Sequence, residues 1–144
     1  MATRAVSAPV QGRSVKVPSV LRSGFTIFAV KMSLKIRGYG RTIRWIQREV
    51  RGVPADASAD ADVVKAAEHA VAMAGALYPG RALCLEQSLV LYYLLRRQGV
   101  AVRYCQGVQP YPFEGHAWIE YRGEPINDVG EHVKLFARLP DLLP

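Results

Sequence analysis

Three residues of this chain have the types and spacing for thiol chemistry: Cys84, His116 and Asp128. Cysteine attacks well only as a thiolate, so a reactive cysteine needs a setting that favours the anion. Cys84 opens an apolar stretch that reads as a helix, and unpaired N–H groups and the macrodipole at a helix start both favour negative charge. Arg81, three residues earlier, adds positive potential. An imidazole can take the thiol proton and return it to a leaving amine. A carboxylate then fixes the imidazole's orientation and tautomer. Asp128 lies 12 residues beyond His116 across one short turn, so adjacent antiparallel strands would bring the two together. The backbone N–H of Cys84 would face a developing oxyanion. Gln87, one turn along, is a candidate second donor, though on a solvated face it would be inert.

Each of these residues also has a plainer reading. A cysteine opening an apolar helix is often just a small buried residue, and a strand histidine beside a tryptophan is often a packed one. Asn127 rivals Asp128, because an amide also orients imidazole; on a strand, neighbours face opposite ways, so only one of them reaches His116. Glu114 and Glu120 rank lower. Trp118 shares the face of His116 and either walls the site or packs in the core. Cys105 sits within a strand alternation and reads as structural. His69 and His132 offer no close ligand pair in sequence, so no metal is assigned.

These residues need a particular frame. Leu21, Phe25, Phe28 and Met32 recur at helical spacing, Gly38-Tyr39-Gly40 interrupts, and Ile43, Ile46 and Val50 resume, which predicts two short basic amphipathic helices. Asp56, Ser58 and Asp60 offer caps for a helix with Val64, Ala67, Val71, Ala74 and Leu77 on one face, stopped near Tyr78-Pro79-Gly80. The helix opened at Leu83 or Cys84 runs to Gln98, with Gly99 beyond it as a C-terminal cap. Alternation then predicts strands over Val100–Gln106, His116–Tyr121 and Pro125–Val129, with Pro110–Phe113 a loop. The fold class expected is α+β: N-terminal helices, then a nucleophile-bearing helix packed on a small antiparallel sheet.

With 144 residues, half of them hydrophobic and 22% charged, the chain suits one small domain. No apolar run approaches the ~20 residues of a membrane span. The Arg/Ser-rich opening lacks the apolar core of a secretory signal; it superficially matches a transit peptide, as would any short basic tail. Two cysteines make no disulfide framework, and the chain reads as cytoplasmic. Residues 1–51 hold 11 Lys/Arg and one acid, whereas residues 52–144 hold 8 Lys/Arg and 11 acids. The basicity therefore belongs to one end and points to an acidic partner there. A nucleic-acid-binding protein without catalysis is the alternative of another class, weakened by the missing binding motif and the acidic second half.

Helix-start cysteine, strand histidine and strand aspartate, in that order, suit papain-like and transglutaminase-like cores. The run Cys84-Leu85-Glu86-Gln87-Ser88-Leu89-Val90-Leu91-Tyr92-Tyr93-Leu94-Leu95-Arg96-Arg97, with Gly107-Val108, Pro112-Phe113, Gly115-His116-Ala117-Trp118-Ile119-Glu120 and Pro125-Ile126-Asn127-Asp128, resembles the leader peptidases of lasso-peptide biosynthesis. These are transglutaminase-like cysteine proteases, and the resemblance covers roughly residues 60–144. It implies that Cys84, His116 and Asp128 are nucleophile, base and orienting acid, with no cofactor. It also implies a ribosomally made precursor peptide cut at the leader–core junction. A separate small leader-binding protein is the expected partner, and an ATP-dependent lasso cyclase would act alongside. Acyl transfer to an amine by the same residues is the alternative within enzymes. The expected organisation is a flexible basic tail over 1–19, a basic helical docking segment over 20–52 and the protease domain over 53–144.

Overall fold

The structure, a computed structural model, describes residues 14–80 and 82–144, so most of the predicted tail and Arg81 lie outside the described residues. Helix α1 (Val20–Arg37) begins where the Ser19 hydroxyl accepts the Arg22 N–H at 3.1 Å, capping an otherwise unpaired donor. It ends at Gly38, whose φ of +80° suits glycine and breaks the helical path. Helix α2 (Tyr39–Val50) starts at the next residue, so one glycine makes the break and Gly40 is helical. Helix α3 (Ala61–Leu77) is capped by the Asp60 carboxylate on the Asp62 N–H and stops before Pro79. Helix α4 (Cys84–Arg97) starts at the predicted cysteine, and Gly99 (φ +81°) turns the chain out of it as expected.

A four-stranded antiparallel sheet follows, in the order β3-β2-β1-β4, making the fold α+β. Strands β1 (Val102–Pro110) and β2 (Phe113–Tyr121) pair from Val102↔Tyr121 to Pro110↔Phe113. Pairing to the very end pulls the predicted loop into the strands and leaves a two-residue turn. Strand β3 is only Glu124–Pro125, helix α5 is Gly130–Val133, and β4 is Ala137–Arg138. The predicted third strand over 125–129 is thus mostly absent. Side chains displace the ladder there: Asn127 Oδ1 accepts the Ile119 N–H at 2.8 Å, and Asp128 Oδ1 accepts the Val129 N–H at 2.7 Å. Asn127 and Asp128 sit in a bend, so alternation of faces does not govern them.

One apolar cluster joins Leu89, Tyr92 and Leu95 of α4, Val64 and Val71 of α3, and Tyr104 and Ile119 of the sheet. Each such side chain contributes about 1.5–3 kcal/mol on burial. The first two helices belong to this same core through Ile27, Val30, Ile43 and Ile46. Their spacing predicted a helix correctly but not which side of it packs. In α1 the buried residues are Ser23, Ile27 and Val30, while the stripe of Leu21, Phe25, Phe28 and Met32 is exposed.

Candidate active site

Cys84 is the first residue of α4 and its thiol is exposed. Its N–H is among the first-turn groups that lack a carbonyl one turn earlier. The Glu86 carboxylate accepts the Leu83 N–H at 2.8 Å and closes the helix entrance beside the thiol. The buried side of this helix is mostly apolar, with Ser88 one turn after Cys84 and Arg96 near the far end as its polar members. The buried Ser88 hydroxyl donates to the Ala117 carbonyl at 3.0 Å and accepts from Asn127 Nδ2 at 2.9 Å. Asn127 in turn takes the Ile119 N–H. The Ala117 carbonyl and the Ile119 N–H lie on the edge of β2 that β3 pairs with only at Glu120 and Tyr121. The N-terminal turn of α4 is thereby fastened to the residues flanking His116.

His116 lies at the other end of this linkage. Its Nε2 is hydrogen-bonded to Asp128 Oδ2, and both side chains are largely buried. Trp118 stacks on the imidazole at 5.8 Å between centroids, and Phe136 lies against it at 5.0 Å. The Trp118 indole N–H is held by Glu120 Oε1 at 3.1 Å, so this ring, packed with Cys105 and Phe136, is itself anchored. An imidazole gripped through Nε2 keeps Nδ1 available for proton exchange, with the carboxylate stabilising the imidazolium.

The same Asp128 oxygen also takes His132 Nδ1 at 2.8 Å, and the two imidazoles meet edge to face at 4.8 Å. Burial alone would raise the Asp128 carboxyl, but hydrogen bonds from His132, the Val129 N–H and His116 outweigh it and hold the group below its ordinary value. The carboxylate is therefore ionised at neutral pH. Its contribution to stability is present above the ordinary carboxylate range and is lost as pH falls through the lowered value. Sequence reasoning set His132 aside; its spacing of four from Asp128 was the signal, since a helical turn after the aspartate brings it back. His116, Asp128 and His132 each offer one donor atom within 4.8 Å of the others, a set whose chemistry suits a divalent transition metal.

The remaining candidates fall elsewhere. Asn127 does not touch His116; it holds Ser88 and β2 instead. Gln87 is half-buried, and its amide donates one N–H to the Ala82 carbonyl at 2.9 Å while packing against Gly75. Glu120 pairs with Arg138, Glu114 is exposed near the hairpin tip, and His69 is exposed on α3. Cys105 is 1% exposed beneath Trp118 and Phe136, and burial, with the Glu120 charge, pushes its thiol up to about 12. At pH 8 only about one part in 10⁴ of it is then thiolate. Iodoacetamide is accordingly expected to alkylate the native protein at Cys84 and spare Cys105, with both modified in denaturant, as read by peptide mass mapping.

Asn127→Ala should remove a partner from the buried Ile119 N–H and from Ser88 together. The expected cost is about 2–4 kcal/mol, seen as a lower urea midpoint at unchanged slope. Asn127→Asp, which retains the acceptor alone, should fall between the two.

Helices on a small antiparallel sheet, with a thiol at a helix start and an imidazole–carboxylate pair on the adjoining strand and bend, are the architecture of a transglutaminase-like core. The family model described as the transglutaminase-like superfamily matches residues 26–140, and the chain belongs to that superfamily. The match starts within α1 and so takes in most of the N-terminal helices as well as the sheet. Members are generally cysteine proteases or transglutaminases. No curated protein and no solved structure matches the chain. Among the described residues no helix is long and apolar enough to cross a membrane.

Proposed function

We propose that this chain is a cysteine peptidase that removes the leader from a lasso-peptide precursor at the leader–core junction. The observation that carries the thiol-enzyme part is the His116–Asp128 pair, set on the strand edge to which Ser88 ties the turn bearing Cys84. In this reading the Cys84 thiolate attacks the scissile carbonyl and His116 protonates the leaving amine. A thioester then links the substrate to Cys84 until water, activated by His116, releases the acid. The Cys84 N–H stabilises the oxyanion. The choice of leader–core junction rests on the motif resemblance. The partners proposed with it are the precursor peptide, a separate small leader-binding protein and the ATP-dependent cyclase, in the cytoplasm.

Because the superfamily also includes transglutaminases, acyl transfer is the second reading: an amine, in place of water, would resolve the same thioester. Mass spectrometry of a precursor incubated with this protein and its leader-binding partner separates the two. One cut at the junction, with water added to the new C-terminus, is expected, and cutting should be weak without the partner. Amine incorporation with no cut would favour the second reading, and no reaction with the partner present would refute both.

A further inference from the structure

Helix α1 is apolar on two sides. One side packs into the core through Ile27 and Val30, and the other presents Leu21, Phe25, Phe28, Met32 and Ile36 to solvent along the whole helix. Leu21 and Ile36 are each 72% exposed and Phe25 is 68% exposed. A solvated helix has no use for such a row, and contiguous apolar surface of this kind marks contact with something else. The surface is concave. A groove of about 440 Å³ runs between Leu21 and Phe25 of α1 and Trp45 and Tyr93, and one of about 380 Å³ continues it past Met32 and Ile36. Trp45 lines both and is steadied by stacking on Tyr93 at 5.7 Å. It also lines a third hollow of about 390 Å³, otherwise formed by Arg37, Arg41, Arg44 and Arg48.

Those four arginines are exposed, and none has an ion pair among the described residues. The single carboxylate of residues 14–51, Glu49, bonds to Arg97 instead. An apolar groove bordered by uncompensated guanidinium groups selects a ligand with apolar side chains on one side and carboxylates beside them. We infer that the α1–α2 face docks an acidic amphipathic peptide segment of another polypeptide. Concavity favours a peptide over a lipid surface, because side chains seat in hollows whereas bilayer insertion uses a projecting apolar ridge. The inference uses no residue of the Cys84 site and does not depend on the peptidase reading.

Fluorescence anisotropy with the full chain tests it. The probes are fluorescein-labelled peptides with one leucine spacing, either glutamate-flanked or lysine-flanked. The glutamate peptide should bind at least about 10-fold more tightly than the lysine peptide, and added salt should weaken it. The double variant Arg41→Glu/Arg44→Glu, and separately Phe25→Ser/Ile36→Ser, should each lower that affinity about 10-fold or more, with circular dichroism unchanged. All four positions are exposed, so these variants should fold. Equal binding of both peptides, or wild-type affinity in both variants, would overturn the inference. So would absence of peptide binding, whether the protein instead sediments with phosphatidylcholine–phosphatidylserine vesicles, which would assign the face to lipid, or forms a dimer that Phe25→Ser dissolves, which would assign it to a second copy.

Discussion

Cys84→Ala is expected to abolish precursor cleavage, by about 10⁶-fold where the assay can follow it, while Cys105→Ala keeps most of the activity. Both substitutions remove one sulfur, but from opposite settings. Cys84 is exposed at a helix start, where reagents and substrate can reach it and first-turn backbone N–H groups lack helical partners. Cys105 is sealed beneath Trp118 and Phe136, with Arg138 Nη2 donating to its sulfur at 2.6 Å. Its replacement should cost some packing stability and little else, so the Cys105→Ala protein must be compared below its own melting point. Cleavage products are counted by mass spectrometry. Undiminished cutting by Cys84→Ala would remove the thiol from the mechanism. Equal loss in both variants would point to damaged folding instead.

Asp128→Ala should lower kcat about 10³- to 10⁴-fold with a much smaller change in KM. In the proposed mechanism the carboxylate acts through His116, to which it is hydrogen-bonded: it fixes which nitrogen carries the proton and balances the imidazolium as it forms. Asp128 has a second duty that an isolated orienting acid would lack, since the same oxygen holds His132. Its removal therefore frees two rings that touch each other and Phe136. Asp128→Asn should lose nearly as much, because an amide cannot balance an imidazolium. Loss of stability in these variants should be greatest near neutral pH and shrink as acid protonates the wild-type carboxyl, since that group is held below its ordinary value by its hydrogen bonds. Single-turnover rates and urea titrations across pH measure the two effects separately. A kcat within tenfold of wild type would place the orienting role elsewhere.

Local signals in the sequence were read well where chain chemistry decides structure. Asp60 at a helix start, Pro79 after a helix and Gly99 beyond another each act through their own backbone, so α3 and α4 were legible almost to the residue. Gly38 was legible as a break, though not as the sole break. What the sequence hid depends on tertiary choice. Both sides of α1 are apolar, and only the rest of the fold selects Ile27 and Val30 over Phe25 and Met32 for the core. Asn127 and Asp128 looked like strand residues because alternation cannot reveal that their side chains take backbone N–H groups the ladder would otherwise use. His116 and Asp128 were nameable from type and order, and they do meet. Ser88 reads as part of the buried helix face but not as a bridge, and His132 as a residue without a partner, because serine in an apolar helix and histidine after a strand are common in other settings.

The fastening of α4 to the edge of β2 makes the geometry of the site conditional. Cys84 and His116 share no continuous secondary element; α4 is held to the sheet by apolar packing in the core and, nearest the site, by the bonds of Ser88 and Asn127 to the backbone at Ala117 and Ile119. Those few bonds join parts of the chain that are far apart in sequence, and they lie where the sheet has almost no third strand to brace it. Local opening there would loosen the proposed nucleophile relative to the proposed base while most of the hydrophobic interior stayed intact. Under the proposed function, competence depends on that margin more directly than foldedness does, and anything that grips it would tune one without the other.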